Sequence, residues 1–375
     1  MDLTDFFAAS YTQARRKFID AVASVNGTLA SYPHPTQHGP NGEPLAVDVA
    51  HIGDPAAPRQ LIVISGTHGL EGYAGSAAQI AWLRLGNAGK LPPGLGVLLI
   101  HGLNPYGFAH FSRTTENNVD LNRNFVDHEQ THPANPDYDR LHPHLKAEDW
   151  GWDFLEKMAA AEANYRDEHG ADALFNARVK GQYNHADGLF YGGQAREWSN
   201  LTLQRIIEEH LAAARQVALI DWHTGLGKYG EPFFLCFSPE DSGEYQQAVH
   251  WWGEHRISNA RPHGLSRPQY SGLVFHGVSR FIGNRPLVGA VIEFGTREIA
   301  MNKVQPLDQW LRFRAPRQTE RFELLQLDLR DAYVPFSQEW RSAALRQSVE
   351  ITEQAVAGLA SWNLQAESAV QQRRA

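Results

Sequence analysis

Cysteine is almost absent: Cys236 is the only one among 375 residues, so no intrachain disulfide framework can form. It sits in the apolar run Phe233-Phe234-Leu235-Cys236-Phe237, where a buried strand thiol is the expected state, ahead of a nucleophile or ligand. Runs of one charge are also missing. Acids and bases are interspersed, with a formal net charge of -8 and a pI near 6.1, so no basic stripe of the kind that binds nucleic acid is present. The stretch Met1 to Ser24 carries Asp2, Asp5, Arg15, Arg16 and Lys17, and holds no apolar segment long enough for a signal peptide or a membrane span. A cytoplasmic location and no membrane partner are therefore expected. There is no internal repeat. No Gly-x-Ser-x-Gly elbow surrounds Ser65, Ser266 or any other serine, which leaves a serine-hydrolase route without a nucleophile.

What is present is enough apolar residue, 42%, to bury a full core, and an α/β fold of this length can be one large domain. Residues 4 to 24 carry Phe6, Phe7, Tyr11, Phe18, Ile19 and Val22 in a roughly helical stripe that Thr4 and Asp5 could begin. Pro33, Pro35, Pro40 and Pro44 read as a turning lead-in to a strand over Leu45 to Ile52. Four short runs, 61–64, 96–100, 216–220 and 288–292, read as buried strands, the first feeding a small-residue helix from Gly75 to Leu85. Each ends just before polar residues. An open, mostly parallel or mixed central sheet flanked by helices follows, with the site outside the carboxyl ends of its strands. The stretch 126–200, with a Pro/His-rich loop and a helix from Trp152 to His169, reads as an insertion at the site entrance. After Glu293 the pattern is amphipathic helix, including Pro306 to Phe313 and Ser342 to Leu364, broken at Tyr333-Val334-Pro335 and followed by a charged tail, Gln371 to Arg374. Trp251-Trp252 fits core packing better than an exposed interface.

The segment Ser65-Gly66-Thr67-His68-Gly69-Leu70-Glu71-Gly72 places an imidazole and a carboxylate three apart in a glycine-rich turn after a buried strand. Such spacing lets both face one ion. Zinc takes nitrogen and oxygen ligands at about 2.0–2.2 Å, and catalytic sites use three protein ligands. A third ligand at a neighbouring strand end is available in His223, after the run 216–220.

Between these lie Gly102-Leu103-Asn104-Pro105-Tyr106-Gly107, Arg113, and Val119-Asp120-Leu121-Asn122-Arg123-Asn124-Phe125, with Glu293 ending a late apolar strand. His-x-x-Glu, Asn-Pro-x-Gly, an arginine, Asp-x-Asn-Arg-Asn-Phe, a strand-end histidine and a strand-end glutamate, in that order, resemble the zinc carboxypeptidases related to carboxypeptidase A. The order is also similar to that of the aspartoacylase and succinylglutamate desuccinylase branch. The resemblance spans roughly 60 to 296. It implies a zinc carboxypeptidase-like (phosphorylase/hydrolase-like) fold with one Zn²⁺ per chain held by His68, Glu71 and His223. It further implies Glu293 as general base, Arg113 as the oxyanion-polarising arginine, Asn122 and Arg123 as the grip on a substrate carboxylate, and Tyr270 as a substrate cap. The organisation implied is an N-terminal helix and lead-in at 1–40, a catalytic domain at 41–305 and a helical extension at 306–375. Departures are Tyr106 where Asn-Pro-Asp-Gly is commoner, and the 126–200 insertion.

The chemistry agrees with these roles. Amide hydrolysis needs an activated water, a base for its proton and a cation for the oxygen that becomes negative. Asp221 could orient a zinc-bound histidine, while Asp120 and Asn124 brace their own motif. The plain alternative for Glu293 is a strand-end salt bridge with Arg285 or Arg297. The expected substrate is a small peptide, or an N-acyl amino acid if the insertion closes over the site. A carboxylate-binding protein without catalysis would have lost a metal ligand or the base, and all four positions are filled.

Overall fold

The short β-branched runs form the centre of a single seven-stranded mixed sheet. A computed structural model describes residues 2–258, 261–297 and 301–363, of which Met301 and Asn302 by backbone alone. The strands are β1 (Thr28–His38), β2 (Pro44–Gly53), β3 (Arg59–Ser65), β4 (Leu95–His101), β5 (Gln216–Gly225), β6 (Pro232–Leu235) and β7 (Leu287–Gly295). They stand in the order β1-β2-β4-β3-β5-β7-β6. The pairings among β4, β3, β5 and β7 are parallel; β1, β2 and β6 join by antiparallel pairing. Side chains alternate across the sheet, so Leu61, Val63, Val97 and Leu99 pack on one face and Ile62, Ile64, Leu98 and Ile100 on the other. Both faces are covered by helices, as buried parallel strands require. The first face meets Tyr11–Ser24, Gly72–Leu85 and Gln338–Ser361; the second meets Trp198–His210 and Val274–Ile282.

Several expectations are corrected. The N-terminal helix begins at Tyr11, not Thr4, because the Ser10 hydroxyl caps it by accepting from the Gln13 amide at 3.3 Å. Pro33 and Pro35 are not a turn but lie in β1. That strand is at the sheet edge, where a residue without an N–H is tolerated, and its register slips between Pro33 and His38. Strands β5 and β7 run beyond 220 and 292, so His223 and Glu293 lie within strands rather than in the loops beyond. Cys236 is buried one residue past β6.

The helix Trp152–His169 matches expectation; that expected from Pro306 begins earlier, at Met301, with Pro306 inside it and the same end at Phe313, and the last helix runs Gln338–Ser361, starting earlier than Ser342, where the Ser337 hydroxyl accepts from the Trp340 amide. The tail Gln371 to Arg374 lies outside the described residues. Trp251 and Trp252 are buried. Within 126–200 the helices Pro136–Leu145, Trp152–His169 and Ala171–Val179 share a small core of their own around Tyr138, Leu141 and Met158. Among the described residues no helix is long and apolar enough to cross a membrane.

Candidate metal centre

Strand β3 ends at Ser65, and Gly66, at φ +72°, turns the chain into Thr67-His68-Gly69-Leu70. A side chain at 69 has no room, since a Cβ there would lie 2.1 Å from the Gly107 carbonyl carbon. The Gly69 and Leu70 amides donate to the Arg113 and Ser112 carbonyls at 3.1 and 2.9 Å. The Asn104 side chain accepts from the Gly107 amide and donates to the Arg113 carbonyl, so the Asn-Pro-x-Gly turn holds the backbone against which the His68 loop rests. Glu71 begins the helix Gly72–Leu85. On the neighbouring strand, His223 of β5 is paired in register with Glu293 of β7, which puts both side chains on one face.

These elements bring His68, Glu71 and His223 together. His68 Nδ1 is 3.0 Å from Glu71 Oε1, His223 Nδ1 is 2.8 Å from Glu71 Oε2, and the two Nδ1 atoms are 3.1 Å apart. All three residues are buried, and one ligand atom from each lies within 4.8 Å of the others. Ligands about 2.0–2.1 Å from one ion in a tetrahedral site stand about 3.3 Å apart, so the donor set fits a zinc-sized cation. The other nitrogen of each ring faces a carboxylate: His68 Nε2 is 3.0 Å from Asp120 Oδ1, and His223 Nε2 is 3.0 Å from Asp221 Oδ2. This is the arrangement that fixes a metal-binding histidine in the correct tautomer. Asp221 is in turn held by the Thr67 hydroxyl at 2.9 Å.

Charge in this centre is balanced against burial. Burial opposes ionisation of Glu71, but His68 and His223 outweigh it and lower its pKa. Burial also opposes a charged His223, yet Asp221 and Glu71 raise that ring well above its ordinary value. Asp120 is lowered well below the usual carboxylate range, burial being overcome chiefly by Arg113. Glu293 behaves differently: burial, and then the Glu71 carboxylate, push it up to about 7. Its Oε2 accepts from the Leu226 amide at 3.3 Å. Among the described residues it pairs with neither Arg285, which donates to the Ile282 and Leu211 carbonyls, nor Arg297, which bonds Asp328. The strand-end salt bridge does not form.

Arg113 donates from Nη1 to Glu71 Oε1 at 3.0 Å, and from Nε and Nη2 to Asp120 Oδ2 at 3.1 Å each. Asp120 thus braces His68 and Arg113 as well as its own motif, where Oδ1 accepts from the Asn122 amide at 2.9 Å. Asn124 braces the local chain, accepting from the Glu197 amide and donating to the Gly192 and Ala195 carbonyls. The Asn122 amide group lies 3.5 Å from His223 Nε2, and its Oδ1 accepts from Val274 N at 2.9 Å. Arg123 donates to the Val179 and Asn122 carbonyls, and its guanidinium lies 5.1 Å from the Tyr270 ring centre.

Six of the eight residues singled out from the sequence, His68, Arg113, Asn122, Arg123, Tyr270 and Glu293, line one cavity of about 380 Å³; Glu71 and His223 bond to His68 at its edge. The sequence reading missed Phe175, Arg178, Val179 and Phe190, which line the same cavity from the 126–200 stretch. It also missed the link from Asp120 to the histidine and arginine. Asp120 could have been found from its place two residues before Asn122; nothing local marks Phe190.

A family model described as "Protein of unknown function (DUF2817)" matches residues 7–347. The chain belongs to the DUF2817 family. No curated protein matches its sequence. Among solved structures, the DUF2817 chain is similar to bovine thrombin-activatable fibrinolysis inhibitor in complex with tick carboxypeptidase inhibitor, at 9% identity, covering 94% of this chain and 97% of that one with a TM-score of 0.49. It is similar also to a metallo-carboxypeptidase from Pseudomonas aeruginosa in complex with (2-guanidinoethylmercapto)succinic acid, at 13% identity over 95% and 71% of the two chains, TM-score 0.46. A third is carboxypeptidase A from Helicoverpa armigera, at 12% identity over 91% and 73%, TM-score 0.41.

Proposed function

We propose that this protein is a zinc-dependent amidohydrolase of the metallocarboxypeptidase kind, which cleaves an amide bond next to a free carboxylate. The observation that carries the reading is the convergence of His68, Glu71 and His223 within 4.8 Å, on a cavity that also presents Glu293 and three arginines, Arg113, Arg123 and Arg178. His68, Glu71 and His223 would hold one zinc per chain, and the bound ion would supply a water acidified to a pKa of about 7 and a Lewis acid for the carbonyl. Glu293, at a pKa of about 7 in the bare site, is suited to take a proton from a cavity water and return it to the leaving nitrogen. The Arg113 guanidinium faces the oxygen that becomes negative. Arg123 offers a planar, two-pronged contact to the substrate carboxylate, beside Asn122 and under Tyr270.

A second reading, an N-acyl-amino-acid deacylase, uses the same residues. It is favoured by the wall that Phe175, Val179 and Phe190 add, and by a cavity of about 380 Å³, near the lower end of the roughly 300–1,000 Å³ of small-molecule sites. Both readings take a small peptide or N-acyl amino acid as substrate, in the cytoplasm, with no nucleic-acid or membrane partner.

The test is metal content of the purified protein, His68→Ala and His223→Ala, with hydrolysis of a panel of dipeptides and N-acyl amino acids on the same samples. About one zinc per chain, lost in both variants together with activity, supports the reading. Failure to take up zinc would sink it. Preference within the panel separates peptidase from deacylase.

A further inference from the structure

Arg113, Arg123 and Arg178 line the buried cleft. Glu71 and Asp120 hold Arg113, while the stretch 126–200 supplies most of what surrounds Arg123 and adds the Phe190 ring beside both. We propose that Phe190 and Gly181 are positioning residues for this pair. Phe190 serves as an aromatic spacer between Arg113 and Arg123, and Gly181 as the gap that seats the Arg123 side chain. The insertion thereby sets how strongly the site prefers a substrate carboxylate. The inference rests on the reading of Arg123 as carboxylate anchor.

The guanidinium carbons of Arg113 and Arg123 lie 5.5 and 5.3 Å from the Phe190 ring centre, both inside the distance at which a ring face attracts a cation. One apolar ring is therefore within attractive reach of two like charges. Arg123 is also fixed in its own plane. Its Nε and Nη2 donate to the Val179 carbonyl and Nη1 to the Asn122 carbonyl at 2.6 Å. Of the five guanidinium N–H groups these bonds engage three, which leaves two for a carboxylate. Gly181, at φ +110°, lies against this side chain; a Cβ there would be 2.6 Å from Arg123 Cδ and 3.2 Å from Nε. The Tyr183 hydroxyl donates to the Arg123 carbonyl at 2.6 Å. The same short segment thus contacts Arg123 at its backbone, its stem and its head.

Phe190 itself adopts φ +51°, a left-handed conformation rare for a bulky residue. Such strain persists only where neighbours impose it, and it gathers at functional sites. The neighbours are present. The Gln182 amide donates to the Phe190 carbonyl at 3.1 Å, the Gly192 amide to the Gln182 carbonyl at 2.9 Å, and the Leu189 amide to the Tyr138 hydroxyl at 2.5 Å. Asn118 donates to the Ala186 and Gly188 carbonyls at 2.8 and 3.0 Å. A loop pinned so closely, carrying a strained ring whose face meets two cations, is built to present that ring.

The experiment is calorimetric binding of two inert carboxylates, 4-methylpentanoate and 3-phenylpropanoate, each against its primary amide, to the full-length protein and its variants. The wild type is expected to prefer acid over amide. Phe190→Leu and Gly181→Ala should each reduce that preference about five- to tenfold, the scale of a desolvated cation–ring contact. Phe190→Tyr should keep the preference, and Arg123→Lys marks its full loss. A purely structural role would change the melting temperature without changing the ratio of acid to amide. An unchanged ratio in folded Phe190→Leu and Gly181→Ala overturns the inference and leaves the functional reading intact. Equal binding of acid and amide by the wild type overturns the carboxylate-anchor reading and the inference with it. The two variants disturb different contacts, so if one loses its cooperative melt the other decides.

Discussion

At Asp120 a single buried carboxylate accepts from the Asn122 amide and from two nitrogens of Arg113, and lies 3.0 Å from His68 Nε2. Its ionised form is what aligns His68 and Arg113 together, and Arg113 does most to keep it ionised against burial. Glu293 is the opposite case, a carboxylate with no ion pair among the described residues, raised to about 7 by burial and by Glu71 against the smaller opposing effect of His223. That contrast agrees with the proposed roles, in which the lowered acids position and the raised one exchanges protons. Glu293→Gln, which keeps the shape but cannot accept a proton, should retain bound zinc while kcat falls about 10²- to 10⁴-fold. Zinc analysis alongside steady-state kinetics checks this; a variant of near wild-type kcat would remove Glu293 from the mechanism.

At the scale of elements, the site depends on where β7 ends. Gly295, two residues past Glu293, accepts at its carbonyl from Trp340 Nε1 at 2.7 Å, and a Cβ at 295 would lie 2.1 Å from the Lys228 carbonyl oxygen. Trp340 is fully buried in the first turn of the helix Gln338–Ser361, so the C-terminal helix is part of the core behind the strand that carries Glu293. Trp340→Ala should cost about 3–5 kcal/mol of stability, and Trp340→Phe, which mainly loses the hydrogen bond, about 1 kcal/mol. Urea unfolding midpoints measure both. The helix itself was legible from periodicity, and its contact with β7 was not, because a pattern of apolar residues gives a face but not its partner. The edge strand β1 was obscured for a related reason. Pro33 and Pro35 signal a turn locally, and only a position at the sheet edge makes them compatible with a strand.

At the scale of the whole molecule, two buried histidines make stability depend on pH. His101, at the end of β4, stacks on Phe18 with ring centres 4.4 Å apart, and burial pushes its pKa down to about 4. His51 in β2 is likewise lowered to about 4, first by burial and then by His210. A histidine whose folded pKa lies below its unfolded value near 6.5 binds fewer protons when folded. Its contribution is therefore intact above about pH 6.5 and is lost as pH falls toward 4, by up to about 3 kcal/mol for His101. Unfolding free energy measured at pH 7 and at pH 4.5 should show this decline, and a smaller decline in His101→Asn; equal slopes would remove His101 as its source.

The sequence by itself determined the four parallel strands, the helix after β3, and the residue types at the strand ends, because alternation, β-branching and glycine act over a few neighbours. It also singled out His68, Glu71, His223 and Glu293 as candidate site residues, through six short motifs in order. Only the tertiary structure decided that His68 Nδ1 comes within 3.1 Å of His223 Nδ1, 155 residues away, and that Asp120 joins His68 to Arg113. The same holds for the strained Phe190 that the loop before Gly192 sets against two guanidiniums. Such contacts join segments with no local relation to one another, and they exist only once the sheet has fixed the distances between its strands.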